Sequence, residues 1–198
     1  SLQRHRNAIE AFEHEILVVL VRDGKARDDR ARRPAGDEAG EVGLDLRLVR
    51  GCEAGPDEIA LSLERMHRIV SIDPVGRTMT VEAGVPLQRV QEEAARHGLL
   101  YPVDFGARGS AQIGGSVATN AGGNGVIRYG MTRDSVLGLE AVLADGTVIP
   151  ALNRMIKNNA AGDVKQLFIG TEGTLGVVTR LVLRLRELPR STQTALVA

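Results

Sequence analysis

Residues 99–130 carry eight glycines in 32 positions and contain neither lysine nor glutamate. Neither the alternation of a strand nor the period of a long helix runs through them. A stretch of this length without its own periodicity is uncommon inside a compact domain and generally serves a function. Seventeen of the 23 glycines lie beyond residue 75, while aromatic residues make up only 3% of the chain. In this part backbone conformation, rather than side-chain bulk, carries the information.

The remaining composition bounds the class. With 198 residues and 43% apolar content, the chain has enough material for one domain, or for two small subdomains sharing a boundary. Lys plus Arg and Asp plus Glu both total 25, so no basic footprint for nucleic acid or an anionic membrane is present. The single cysteine, Cys52, excludes a disulfide within this chain and any Cys-rich metal site, and accords with a reducing, cytoplasmic setting. The longest apolar run, residues 16–21, is six long; a bilayer span needs about 20, so the expectation is a soluble chain with no membrane span.

Residues 16–21 read as a buried strand stopped by Asp23-Gly24. From 25 to 43 the composition turns to Arg, Asp, Glu, Ala and Gly without an apolar period, which predicts a disordered or poorly packed stretch. Order is expected from Asp57. Residues 58–63, 69–72 and 78–81 alternate and read as a β-meander around Asp73-Pro74-Val75-Gly76. Pro86 opens a helix with Leu87, Val90, Ala94 and Ala95 on one face and Gly98 as its stop, packed on the meander. Beyond the glycine-rich stretch, residues 136–143 and 147–149 flank Asp145-Gly146, a hairpin that opens a second sheet. Residues 163–168 read as a short helix, 170–176 as a glycine-rich turn and 177–185 as a strand. The fold class is α+β.

The chemistry concentrates in Ile113-Gly114-Gly115-Ser116-Val117-Ala118-Thr119-Asn120-Ala121-Gly122-Gly123-Asn124. Paired glycines let the main chain approach a ligand closely, so that successive N–H groups can meet phosphate oxygens without a lysine. A dinucleotide pyrophosphate suits such a loop; the alternative is that the glycines only permit tight turns. Neither a P-loop nor a GxGxxG fingerprint is present. Ser116, with His97 or His67 as base, imitates a nucleophile elbow, but no strong strand precedes it and Ala118 stands where the closing glycine belongs. His5, His14, His67 and His97 lie at no metal-ligand spacing, so no metal site is expected. Asp134 and Asp145 read as turn and strand-end residues, and Arg128 stands open between a solvated side chain and one facing a ligand.

Several motifs then occur in one order over residues 57–186: Leu63-Glu64-Arg65-Met66, Thr78-Met79-Thr80-Val81-Glu82-Ala83-Gly84, Tyr101-Pro102-Val103-Asp104, Gly114-Gly115, Ala118-Thr119-Asn120-Ala121-Gly122-Gly123, Arg128-Tyr129-Gly130 and Gly170-Thr171-Glu172-Gly173-Thr174-Leu175-Gly176. In these the chain resembles the FAD-linked oxidase family, and within it the D-lactate, glycolate and D-2-hydroxyglutarate dehydrogenase branch. The resemblance implies an FAD-binding PCMH-type domain over residues 57–190. Residues 1–56 would be a degenerate or poorly ordered part of its first subdomain, and 191–198 the start of a C-terminal cap. It implies FAD as cofactor and a small 2-hydroxy acid as substrate. Pro102, Asp104 and Ser110 would lie along the flavin, and Gly114, Gly115, Ala118, Thr119, Asn120, Ala121, Gly122 and Gly123 around the pyrophosphate and isoalloxazine edge. Glu172, Gly173, Gly176, Val177 and Val178 would lie on the adenosine side. No catalytic residue is assigned, because the family's base comes largely from the cap.

Three departures qualify the resemblance. The family's Pro-x-Gly-Gly-Asn-Thr-Gly-like loop has no counterpart; Arg27-Asp28-Asp29-Arg30-Ala31-Arg32-Arg33-Pro34 stands in its place. Lys157-Asn158-Asn159-Ala160-Ala161-Gly162-Asp163 replaces the usual Lys-Asp-Asn-Thr-Gly-Tyr-Asp, losing a tyrosine. The sequence also ends at Ala198, where the cap would begin. The expectation is an FAD-binding oxidoreductase domain that does not turn over hydroxy acids as an isolated chain. The alternative is a remnant that binds FAD weakly or not at all.

Overall fold

The computed structural model describes residues 17–22, 25–28, 59–157, 162–191 and 193. The chain divides into two units, residues 1–66 with 144–147, and residues 67–143 with 148–198.

In the first unit, β1 (Leu17–Arg22) is the middle strand of a three-stranded antiparallel sheet, between β2 (Lys25–Asp28) and β3 (Ile59–Ser62). The strand expected at 16–21 is present, displaced by one residue. Two expectations change. Lys25–Asp28, the start of the stretch expected to be poorly packed, pairs with β1 in the register Val19↔Asp28 to Arg22↔Lys25; residues 29–43 lie outside the described residues. The segment at 59–62 pairs with β1, not with the strand at 69–73, so the three-stranded meander does not form. Alternation fixes which face of a strand is apolar but leaves its neighbour open, and β1 supplies an edge for it.

The second unit is built on a five-stranded antiparallel sheet in the order β4-β5-β9-β7-β8. Its strands are β4 (Ile69–Asp73), β5 (Thr78–Glu82), β7 (Val136–Val142), β8 (Val148–Ala151) and β9 (Val177–Arg184). The hairpin at 136–151 therefore opens no second sheet. Strand β9, last in sequence of the five, inserts between β5 and β7 and joins the two halves, in registers such as Met79↔Leu183 and Leu139↔Leu181. Met79, Val81, Leu139, Leu181 and Leu183 are fully buried there, each contributing about 1.5–3 kcal/mol. Two residues of β6 (Leu99–Leu100) pair with β10 (Arg186–Glu187).

Helix α1 (Leu87–Arg96) begins after Pro86, whose φ of −61° suits the position before a helix. It stops at Gly98, where φ is +71° and the N–H donates to Ala95 O at 3.0 Å. Leu87, Val90 and Ala94 are buried as expected, but Ala95 is exposed, because the next residue in a helix turns about 100° away from an already narrow stripe. Two short helices, α2 (Ile113–Ala118) and α3 (Val126–Tyr129), lie within the glycine-rich stretch. The turns at Thr132–Ser135 and Val164–Leu167 are 3-10 helices, the second where a short helix was expected. No helix among the described residues is long and apolar enough to cross a membrane.

One fully buried carboxylate fixes the end of β5. Glu82 accepts from the Arg68 backbone N–H at 2.7 Å and from its Nε at 2.8 Å, and pairs with Nη2 at 2.7 Å. Removing the cation strands a charge in the core, whereas removing the charge itself leaves a half-exposed arginine that water can solvate. Arg68→Ala is therefore expected to cost about 3 kcal/mol and more than Glu82→Gln. Urea midpoints of the two variants check the order, and a reversed order contradicts the assignment of Glu82 to the core.

Candidate functional site

Beyond Glu82 the chain turns through residues 83–85 and receives the start of α2. Ile113 N–H donates to Val85 O at 2.9 Å and Gly114 N–H to Ala83 O at 2.7 Å. A Cβ on Gly114 would stand 2.7 Å from Ala83 Cβ and 3.0 Å from Ala83 O. Gly114 is thus needed for close packing, and its amide is already engaged. Gly115 faces the other way. It is exposed, a Cβ there would meet nothing within 4 Å, and its N–H has no acceptor among the described residues. Ser116 is buried and its hydroxyl donates back to Gln112 O at 3.2 Å, which leaves no nucleophile elbow.

At the carbonyl end of α2 the chain doubles back. Asn120 takes a left-handed conformation with φ of +48°, Ala121 N–H donates to Ser116 O at 2.8 Å, and Thr132 caps Ala121 O through both its N–H, at 3.0 Å, and its Oγ1, at 2.6 Å. Gly123 then lies against Asp104, where a Cβ would stand 2.3 Å from the backbone O and 2.9 Å from the C and N of that residue, and Asn124 N–H donates to Asp104 O at 2.9 Å. Asp104 Oδ1 accepts from Gln91 Nε2 at 3.2 Å and Arg108 Nη1 at 3.1 Å, so α1 holds this segment. Pro102 is buried, and its carbonyl lies 3.2 Å from where a Cβ on Gly125 would be. The amides of Gly122 and Gly123, like that of Gly115, have no acceptor among the described residues.

The second glycine-rich turn docks on the same helix end. Gly170 N–H donates to Val117 O at 3.1 Å and Glu172 N–H to Ala118 O at 2.9 Å. Glu172 and Gly173 both have left-handed φ, +54° and +80°. Asn120 and Glu172, non-glycine residues in this region, each store about 1–3 kcal/mol of strain of the sort that collects at functional sites. Gly176 sits where a Cβ would be 2.8 Å from Val142 O, and Val177 and Val178 begin β9 opposite Val142 and Ala141.

The structure therefore gathers Ala118, Thr119, Asn120 and Ala121 with Glu172 and Gly173 at the carbonyl end of α2, and Gly122 and Gly123 follow directly, against Pro102 and Asp104. Gly176, Val177 and Val178 belong to the neighbouring strand start. Ser110 is not drawn into this group: it is exposed, and its N–H and Oγ both turn to Ala107 O. Arg128 is exposed with its guanidinium 5.2 Å from the centre of the Tyr129 ring. Asp134 and Asp145 accept from Met131 N–H and Thr147 N–H, as turn residues do, and the Thr147 bonds hold the Asp145 carboxyl below its ordinary range. Tyr101 is fully buried with no partner for its hydroxyl, and burial pushes its phenol well up. No cluster of metal-ligating side chains occurs among the described residues. A concavity of about 630 Å³ between Leu137, Pro150, Asn153, Met155 and Ile156 contains none of the expected cofactor residues.

Sequence reasoning passed over Arg133. Its backbone N–H donates to Asn120 Oδ1 at 3.0 Å, and its guanidinium reaches Gln166 O at 3.3 Å, Gln166 Oε1 and Ile169 O. The available signal was its place in Met131-Thr132-Arg133-Asp134, directly after the glycine-rich stretch.

The arrangement suits a dinucleotide phosphate group. Glycine amides without acceptors among the described residues adjoin Thr119 and Asn120, and a Cβ at Gly115 would meet nothing within 4 Å. The sequence matches the family described as FAD binding domain over residues 42–151, more than half of the chain. It is 47% identical over 151 residues to a D-2-hydroxyglutarate dehydrogenase of Xanthomonas citri pv. viticola, covering 76% of this chain and 32% of that protein. It is 42% identical over 165 residues to the mitochondrial D-2-hydroxyglutarate dehydrogenase of Bos taurus, covering 83% and 29%. A D-2-hydroxyglutarate dehydrogenase of Stutzerimonas stutzeri is 42% identical over 150 residues, covering 76% and 32%. The chain thus spans about a third of the length of these relatives. Two crystal forms of alkyldihydroxyacetonephosphate synthase superpose with TM-scores of 0.57 and 0.56 over 65% of this chain and 23% and 24% of theirs, at 22% identity, a likeness of fold. Glycine cradle, α+β fold and family match agree, and the chain belongs to the FAD binding domain family, with FAD as its cofactor.

Proposed function

We propose that this chain is the FAD-binding part of a D-2-hydroxy-acid dehydrogenase acting on D-2-hydroxyglutarate, D-lactate or glycolate. The observation that carries the reading is the docking of the 170–173 turn on the carbonyl end of α2, beside a loop whose glycine amides have no acceptor among the described residues. In this reading the amides of Gly115, Gly122 and Gly123 and the Asn120 side-chain amide NH2 hold the pyrophosphate, while Ala118, Ala121 and Thr119, whose hydroxyl donates to Gly115 O at 3.0 Å, shape the loop. Gly114 contributes through its contact with Ala83. Pro102, Asp104 and Ser110 line the flavin side, and Glu172, Gly173, Gly176, Val177 and Val178 the adenosine side. When bound, FAD supplies the redox chemistry, acceptance at flavin N5 of the hydride from C2 of the acid. The chain's own part is to orient donors and exclude water around that ring. Relatives named D-2-hydroxyglutarate dehydrogenase support this substrate class, and a single cysteine accords with a reducing, cytoplasmic setting.

A second reading, a remnant that binds FAD weakly or not at all and does not turn over, is favoured by the absence of any glycine from residues 27–34. A chimera separates the two. The aligned segment of the Xanthomonas relative is replaced by this chain, and each acid is added anaerobically to the FAD-loaded protein. Loss of the flavin band at about 450 nm with one of the acids is expected. A chimera that holds FAD and bleaches with none of them contradicts the dehydrogenase reading.

A further inference from the structure

We propose that Arg133 is the positioning residue of the FAD site, fastening the Asn120 loop and the 166–170 turn into one cradle and giving that cradle its positive charge. The inference rests on the reading that these segments hold FAD. Its first support is connectivity. The Arg133 backbone N–H fixes Asn120 Oδ1 at 3.0 Å, and Nη1 reaches Gln166 O at 3.3 Å and Gln166 Oε1 while Nη2 reaches Ile169 O. Gly170, directly after Ile169, is itself bonded to Val117 at 3.1 Å. A Cβ on Gly170 would lie 3.4 Å from Arg133 Nη2 and 3.5 Å from Asn120 Cβ, so one guanidinium stands where the two segments meet.

The second support is charge. Every partner of this guanidinium among the described residues is a neutral carbonyl or amide oxygen. The neighbouring carboxylate, Asp134, turns instead to Met131 N–H at 2.8 Å. Arg133 is half-buried, and no carboxylate among the described residues offsets its charge. Here three carbonyl-type oxygens hold the fork in place and leave its charge unneutralised. An anionic group of a bound dinucleotide would supply the missing compensation. The planar fork also explains why an arginine is used, since a lysine offers its donors from one compact point and cannot span Gln166 and Ile169 with two separate nitrogens.

Two variants and three measurements test this. Arg133→Met removes fork and charge; Arg133→Lys keeps the charge only. FAD affinity by flavin fluorescence is expected to fall roughly 30-fold in Arg133→Met, the equivalent of one charge-assisted contact, and to recover only in part in Arg133→Lys. The affinity of the parent chain is expected to weaken with added salt more steeply than that of Arg133→Met. The midpoint potential of bound FAD is expected to fall in Arg133→Met, because a cation near the ring or its phosphates favours the more negative reduced form. Equal FAD affinity and equal salt dependence in folded Arg133→Met and parent overturn the proposal, while a parent that binds no FAD overturns the FAD reading beneath it. If Arg133→Met does not fold, Gln166→Met, which deletes one acceptor of the fork, takes its place. A fall of about fivefold in its FAD affinity supports the role, and an unchanged affinity overturns it.

Discussion

Gly115→Val is expected to leave the chain folded and to weaken FAD binding by at least about 100-fold, close to 3 kcal/mol. The two halves of this expectation come from one observation. A Cβ at Gly115 meets no atom within 4 Å, and the residue is exposed, so no packing is disturbed. Within a helix, valine is also no worse than glycine. A branched side chain does fill the space that a closely approaching ligand needs, and it shields an amide that has no acceptor among the described residues. Thermal unfolding and FAD titration of the same preparation check the two halves separately. Gly122→Val is expected to show a similar loss of affinity with some loss of stability, because its Cβ would lie 3.1 Å from Val126 Cγ2 and 3.2 Å from Met131 Sδ. Unchanged affinity in folded Gly115→Val would remove this helix face from the cofactor site.

Gly138→Val is expected to have the largest effect on folding, a loss of more than about 3 kcal/mol. Gly138 is buried in β7 beside a register shift in the β7–β9 ladder. A Cβ there would lie 2.3 Å from Asn153 N, 2.6 Å from Ala151 O and 2.7 Å from Asn153 O. These are backbone atoms, so no side-chain rotation relieves the clash, and the strand pair β7–β8 must separate. Glycine inside a strand commonly marks such a close backbone approach. Soluble yield and urea unfolding read the outcome; a Gly138→Val chain as stable as the parent would mean that residues 151–153 do not pack on β7.

How much of this was legible in the sequence depended on the range of the interaction involved. Helix α1 was readable because Leu87, Val90 and Ala94 repeat at helical spacing and Gly98 supplies a left-handed stop. The strands were readable from alternation, but their partners were not. Nothing in residues 59–62 indicates pairing with β1, and nothing in 177–184 indicates insertion between β5 and β7, because alternation encodes a face and not a neighbour. The glycine cluster pointed to the site while concealing a division of labour. Gly114 and Gly115 look alike in sequence, yet one is pressed on Ala83 and the other faces open space. Only the surroundings of the absent Cβ tell them apart. Arg133 could be suspected from its place after the glycine-rich stretch, but its partners could not: they lie 33 and 36 residues further on, and two of the three are backbone carbonyls, which leave no mark in a sequence.

In the proposed reading the loops at 113–123 and 170–173 hold FAD by its pyrophosphate. Parallel titrations of the purified chain with FAD and with riboflavin, which has the same ring and no phosphate, test it most directly. Saturable binding of FAD is expected, with riboflavin at least about tenfold weaker, since hydrogen bonds to a charged phosphate contribute about 1.5–3 kcal/mol. Equal affinity for the two flavins, or no saturable binding of FAD, would contradict it.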